Sequence, residues 1–216
     1  MREMDMNEGT LTVLIQWCFL CLIWMGVYDR VLDRWGIRRA EALAVVTVFL
    51  ICAFVSWKIA FLPSVRVHIS GMILPFLCAG WLYAKQRQSR KRFMVILGGC
   101  LGVALFWFRW LLFTDPVLAI WDESWMLPVV AFLAVLTISR SGLTQLFLLL
   151  YSLTLGEVLY ALFEWRFSGS CLIGGEYAQD LLWSTLSLWS LLAGGWLVLR
   201  QLLRIGQRDR DPENQG

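Results

Sequence analysis

The chain has 216 residues, 59% hydrophobic and 16% charged, with a net charge of +3. A soluble domain is nearer half apolar and a quarter charged; the excess here collects in long runs bounded by charge clusters. Continuous runs exclude a β-barrel, whose strands alternate, and point to a helical membrane bundle, since helices satisfy their own backbone in lipid.

Residues 1–9 carry Glu3, Asp5 and Glu8 against Arg2, which is not the basic head of a signal peptide. The run from Thr10 to Tyr28 is therefore expected to be a retained first span. After DRVLDRWGIRRAE, the second span is expected from about 41 to 62, with Lys58 inside it. A short loop with Pro63, Arg66 and the single histidine, His68, leads to a third span over about 70–84, interrupted by Pro75. The basic stretch KQRQSRKR precedes a fourth span, Phe93 to Phe113, with Gly98 and Gly102 four apart and Arg109 near its end. An acidic loop with Asp115, Asp122 and Glu123 follows, then a short fifth span from Met126 to Ile138 containing Pro128. The sixth runs from Leu143 to Phe163 with Glu157 inside and Glu164 at its edge, and the seventh from Leu181 to Leu199.

Seven spans put alternate loops on opposite sides. The loops after spans one, three and five, with the C-terminal tail, hold most of the 19 Lys and Arg; Arg2, Arg66 and Arg166 lie on the other side. By the positive-inside rule the N-terminus is outside and the C-terminus cytoplasmic. The expected architecture is an all-α integral membrane bundle of seven helices. Residues 1–206 form its single domain, and 207–216 a disordered cytoplasmic tail. Trp57, Trp107, Trp110, Trp121, Trp125, Trp165 and Trp183 fall near the outer boundary drawn in this way, where tryptophan is favoured.

Ionisable residues inside a span are costly and mark the candidate site. Lys58, Arg109 and Glu157 fall at similar depths on helices of one direction, roughly 22 to 26 Å from the cytoplasmic boundary at ~1.5 Å per residue. Glu164, Tyr160 and the acidic loop lie just above. One reading is an outward-facing polar vestibule lined by Lys58, Arg109, Glu157 and Glu164. The other is structural: Lys58 snorkels to the headgroups, and Arg109 pairs with Glu157, whose short side chain reaches the interface poorly. Cys18 and Cys21 form a C-x-x-C near mid-membrane, where small apolar packing residues are the better reading than a redox pair.

Enzymatic templates fail. There is no H-E-x-x-H, phosphate-binding glycine loop or cysteine–histidine cluster, and Ser141 and His68 are expected on opposite sides. No catalytic residue, cofactor or metal is expected. The lipid bilayer is the expected partner, along with other membrane proteins or a second copy, and nucleic acid is not.

In its length, outside N-terminus and Trp- and Phe-rich short helices such as GCLGVALFWFRWLLF, the chain resembles the YphA-like family of bacterial multi-pass membrane proteins from spore-forming bacteria. The resemblance implies a plasma-membrane location and carries over no activity. Two functions follow: a non-enzymatic membrane protein working through partners, or a transporter or channel for a small solute or ion.

Overall fold

A computed structural model describes residues 9–55, 57–62, 64–86, 91–114 and 123–208. The expected acidic positions Asp115 and Asp122, Trp121, and the tail beyond Arg208 lie outside the described residues. Helix α1 (Thr10–Trp24) turns at Gly26, where φ is +79°, into the short α2 (Asp29–Trp35), 85° away. Helix α3 (Arg39–Val55) leads to strands β1 (Lys58–Leu62) and β2 (Val65–His68). A π-helical turn, Ile69–Ile73, opens α4 (Leu74–Lys85). Then come α5 (Lys91–Thr114), α6 (Glu123–Ile138), α7 (Gly142–Ser168), β3 (Cys171–Ile173) and α8 (Glu176–Arg208).

The bundle is mostly helical, as its composition requires, but one end carries a three-stranded sheet in the order β1-β2-β3. The second expected span stops short for this reason. Helix α3 ends at Val55, and Lys58 stands on an antiparallel hairpin opposite His68. Beta-branched residues at 59, 65 and 67 suit a pleated strand, and Leu62 precedes a proline, which disfavours helix. An apolar run alone does not distinguish these outcomes. The wide turn before α4 has a local cause: the Pro75 ring would meet the carbonyl of residue 71 in a regular helix.

Helix α7 is the central rod, packing on α4, α5, α6, α8 and β3. Its Leu148 and Leu149, with Ala131 and Val135 of α6, are fully buried. Close approach to α5 depends on glycine. A Cβ at Gly98 would lie 2.7 Å from the Tyr151 ring, and one at Gly102 3.0 Å from the Ser152 carbonyl. This is the small-residue contact expected of the G-x-x-x-G spacing. Trp183 departs from the expected outer girdle: it is buried, edge-on to Phe19 and Phe49.

Among the described residues two helices, α5 and α7, are long and apolar enough to cross a membrane, and the bent pair α1–α2 makes a third if it counts as one span. The segments Ile69–Lys85 and Glu123–Ile138 are apolar but shorter. Large apolar side chains such as Leu14, Phe54, Ile96, Phe113 and Leu133 are exposed, as suits surfaces facing lipid.

Candidate functional site

Near the end of α5, Arg109 reaches two carboxylates. Its Nη1 donates to Glu157 Oε2 at 2.8 Å and its Nε to Glu123 Oε1 at 2.9 Å. The same Glu123 oxygen accepts from the Tyr177 hydroxyl at 2.8 Å. The guanidinium lies 3.7 Å from the centre of the Tyr160 ring and 4.5 Å from that of Tyr177. One cation thus ties α5, α6, α7 and α8 together.

Each helix supplies its group for a local reason. Glu123 is the first residue of α6, where the helix dipole favours a negative charge. Glu157 follows Gly156, where a Cβ would lie 3.3 Å from the Gly102 carbonyl oxygen of α5; the close approach that glycine allows puts the carboxylate within reach of Arg109. Tyr160 lies one turn beyond Glu157 and Tyr177 in the first turn of α8. The Arg109 and Glu157 side chains are 14% and 12% exposed, against 34% for Glu123. A buried pair of this kind must satisfy its remaining donors and acceptors to persist, and here Glu123, the backbone amide of Gly174 and the tyrosine faces contribute.

Of the four residues singled out in the sequence, Arg109 and Glu157 come together. Glu164, two turns beyond Glu157, is exposed and bonds neither. Lys58 is the correction. It is an exposed strand residue beside His68, because the helix that would have carried it into the membrane has already ended. Glu123 and Tyr177 complete the cluster. Glu123 was visible as part of an acidic loop, but that it starts α6, and that Tyr177 faces it, depends on long-range packing.

Beside the cluster, a second polar layer closes the same end. Asp180 of α8 accepts from the backbone N–H groups of Gly9 and Thr12, at 2.8 and 2.9 Å, and from the Thr12 hydroxyl at 2.5 Å. It caps α1, whose own N-cap residue, Gly9, has no side chain to do so. His68 is 1% exposed, and neither ring nitrogen is hydrogen-bonded among the described residues. Burial, and then the Lys58 charge, hold its pKa below the usual 6.5, while Glu176 opposes them. Gly71 and Gly174 meet backbone to backbone beneath it: a Cβ on Gly174, where φ is +74°, would lie 2.8 Å from the Gly71 carbonyl carbon.

The cavity beside Arg109 and Glu157, floored by Leu105, Leu153, Gly156 and Leu181, is about 10 Å³. A separate open groove of about 340 Å³ runs past Gly9, Val13, Phe54, Glu176 and Gln179. Among the described residues no group of three or more His, Cys, Asp or Glu could hold a metal ion.

The family model for YphA-like integral membrane proteins matches residues 8–213. The chain belongs to that family. No curated protein and no solved structure matched it. The family places the chain in a membrane and in contact with lipid, in agreement with the apolar outer faces of α5 and α7.

Proposed function

We propose that this YphA-like protein is a non-enzymatic bundle acting through other membrane proteins or through a second copy of itself. In this reading seven rods cross a bacterial plasma membrane, with the N-terminus outside and the C-terminus in the cytoplasm. Support for the seven comes from α1, α3, α4 with its π turn, α5, α6, α7 and α8 packing side by side. Support for the orientation comes from the Lys and Arg distribution.

The observation that carries the functional reading is the closed interior at Arg109. A space of about 10 Å³ is about what one water needs, while small-molecule sites run to roughly 300–1,000 Å³. The arginine's donors are directed at carboxylates of its own bundle, and its flanks at its own tyrosines. Arg109 and Glu157 then form a strut that joins four helices.

The test is flux. The full chain, purified and reconstituted into sealed vesicles holding a pH- or potassium-sensitive dye, is given an ion gradient. Leak equal to that of protein-free vesicles is expected. A protein-dependent flux that Glu157→Gln abolishes would replace this reading with a transporter built on an outward-facing polar vestibule. Photo-cross-linkers at the exposed Ile96 and Leu133, in native membranes, should give discrete protein adducts. Lipid adducts alone from every exposed face would remove the partner half of the reading.

A further inference from the structure

Helix α2 lies 85° from α1, so if α1 crosses the bilayer, α2 runs along its surface. On a 3.6-residue turn, Val31, Leu32 and Trp35 share one arc of α2 and Arg30 and Arg34 another. The apolar arc is seated: Leu32 is buried, and Trp35 packs on Trp189, ring centres 5.7 Å apart, and against Gly142. The basic arc is open. Arg30, Arg34 and the following Arg38 are exposed and make no ion pair among the described residues.

Their neighbouring carboxylates are fewer than the cations. Asp29 is taken by Arg39 at 3.8 Å and Glu41 by Lys85 at 3.2 Å, leaving only Asp33 exposed on the helix. Lys91 and Arg92 start α5, and Arg140 precedes α7, at the same end of the bundle. Arg30 and Arg34 on α2, and Arg38 in the turn after it, with no ion pair among the described residues, would then face the depth at which lipid phosphates lie. Arginine suits a phosphate because its fork of donors matches the oxygens, and basic segments beside a span are drawn to anionic leaflets.

We propose that Arg30, Arg34 and Arg38 form a docking surface for the headgroup phosphates of anionic phospholipid, with α2 as its seated, in-plane platform. The lipid is a specific neighbour of this end of the bundle and not only its solvent.

The full chain is reconstituted in phosphatidylcholine bilayers containing trace chain-spin-labelled phosphatidylglycerol or phosphatidylcholine. The motionally restricted fraction of each label is read by electron spin resonance. A preference for phosphatidylglycerol on the order of threefold is expected at low salt. It should fall toward unity in the R30Q/R34Q/R38Q variant, and in wild type at about 1 M salt, where the Debye length is about 3 Å. The K58Q/R66Q/R166Q variant, altered at the other end, should keep it. The wild-type salt series stands alone if the first variant does not fold. Equal fractions for the two lipids in wild type, or a preference unchanged in R30Q/R34Q/R38Q, would overturn the proposal. So would displacement of the lipid by inorganic phosphate at constant ionic strength, which would mark a site for the free anion.

Discussion

Arg109 and Arg34 stand at opposite ends of the bundle. The first touches two carboxylates and two aromatic rings and is 14% exposed; the second is exposed and makes no ion pair among the described residues. The same pattern extends to their surroundings. At the Arg109 end, polar groups are directed at one another: Tyr177 at Glu123, Asp180 at Thr12. At the α2 end, basic side chains outnumber their acids and face outward. Charge buried in a bundle is matched within the chain, because an unmatched ion in lipid is expensive. Charge at the water boundary carries no such demand and is free to meet another molecule. The first kind of arginine should therefore govern stability, and the second should leave it alone.

The sharpest way to break the comparison is to unmatch the buried pair. Glu157→Ala should lower the stability of the bundle by about 3–5 kcal/mol, because it leaves a buried guanidinium with only the half-exposed Glu123. Arg109→Gln with Glu157→Gln together should recover much of the loss, since neither charge is then stranded. Thermal unfolding in detergent and in lipid, arranged as a double-mutant cycle, reads the coupling. Additive shifts would mean that the contact at 2.8 Å contributes nothing of its own.

A second strong effect belongs to the same end. Gly174→Ala adds a methyl group where φ is +74° and the backbone of residues 71 and 72 is within 3.0 Å. Overpacking of this kind costs about 1–3 kcal/mol, and the left-handed backbone adds to it. Gly169→Ala is the control, with the same backbone region, φ +70°, and nothing within 4 Å. It should cost less; equal losses would show that the backbone conformation, not the contact, decides.

His68 gives this end a pH dependence. Its folded pKa lies below the unfolded value of 6.5, so the unfolded chain binds the proton more readily. Stability is then full above about 6.5 and falls as the pH drops below it toward the folded pKa. Melting curves between pH 7.5 and 5 should fall in the wild type and flatten in His68→Gln. An unchanged slope in the variant would assign the acid lability to other groups.

How much of this was open to the sequence depends on range. The pairing of Arg109 with Glu157 was legible because both lie in long apolar helices, where span ends fix depth to within a turn. Gly98 and Gly102 likewise announced a close contact by spacing alone. The Lys58 position was misplaced because an apolar run of β-branched residues reads equally as the end of a helix or as a strand. Its strand pairs with β2 close by, and the sheet is completed only by β3, more than a hundred residues further on. Trp183, expected near the outer boundary, turns its ring inward against Phe19 and Phe49, which its position along the helix alone does not indicate. Asp180 capping α1 could not be anticipated, since it closes a helix at the opposite end of the chain.

The smallest effects belong to the α2 end, and there they discriminate between two kinds of exposed cation. Lys85 donates to the carbonyl of Gly36 at 3.0 Å and to Glu41 at 3.2 Å, and Gly36 is the residue that ends α2, with φ +64°. Lys85 thus joins the end of α4 to the corner between α2 and α3, although it remains exposed. Exposed pairs are worth about 0–1 kcal/mol, so Lys85→Gln should cost under about 1 kcal/mol, with faster amide exchange at Gly36 and Ile37, whose N–H groups bond back to α2. Arg34→Gln, with no ion pair to lose among the described residues, should stay within about 0.5 kcal/mol of wild type and leave that exchange unchanged. If Arg34→Gln destabilised the bundle as much as Lys85→Gln, then Arg34 would be holding the fold, and the contrast between the two ends would fail.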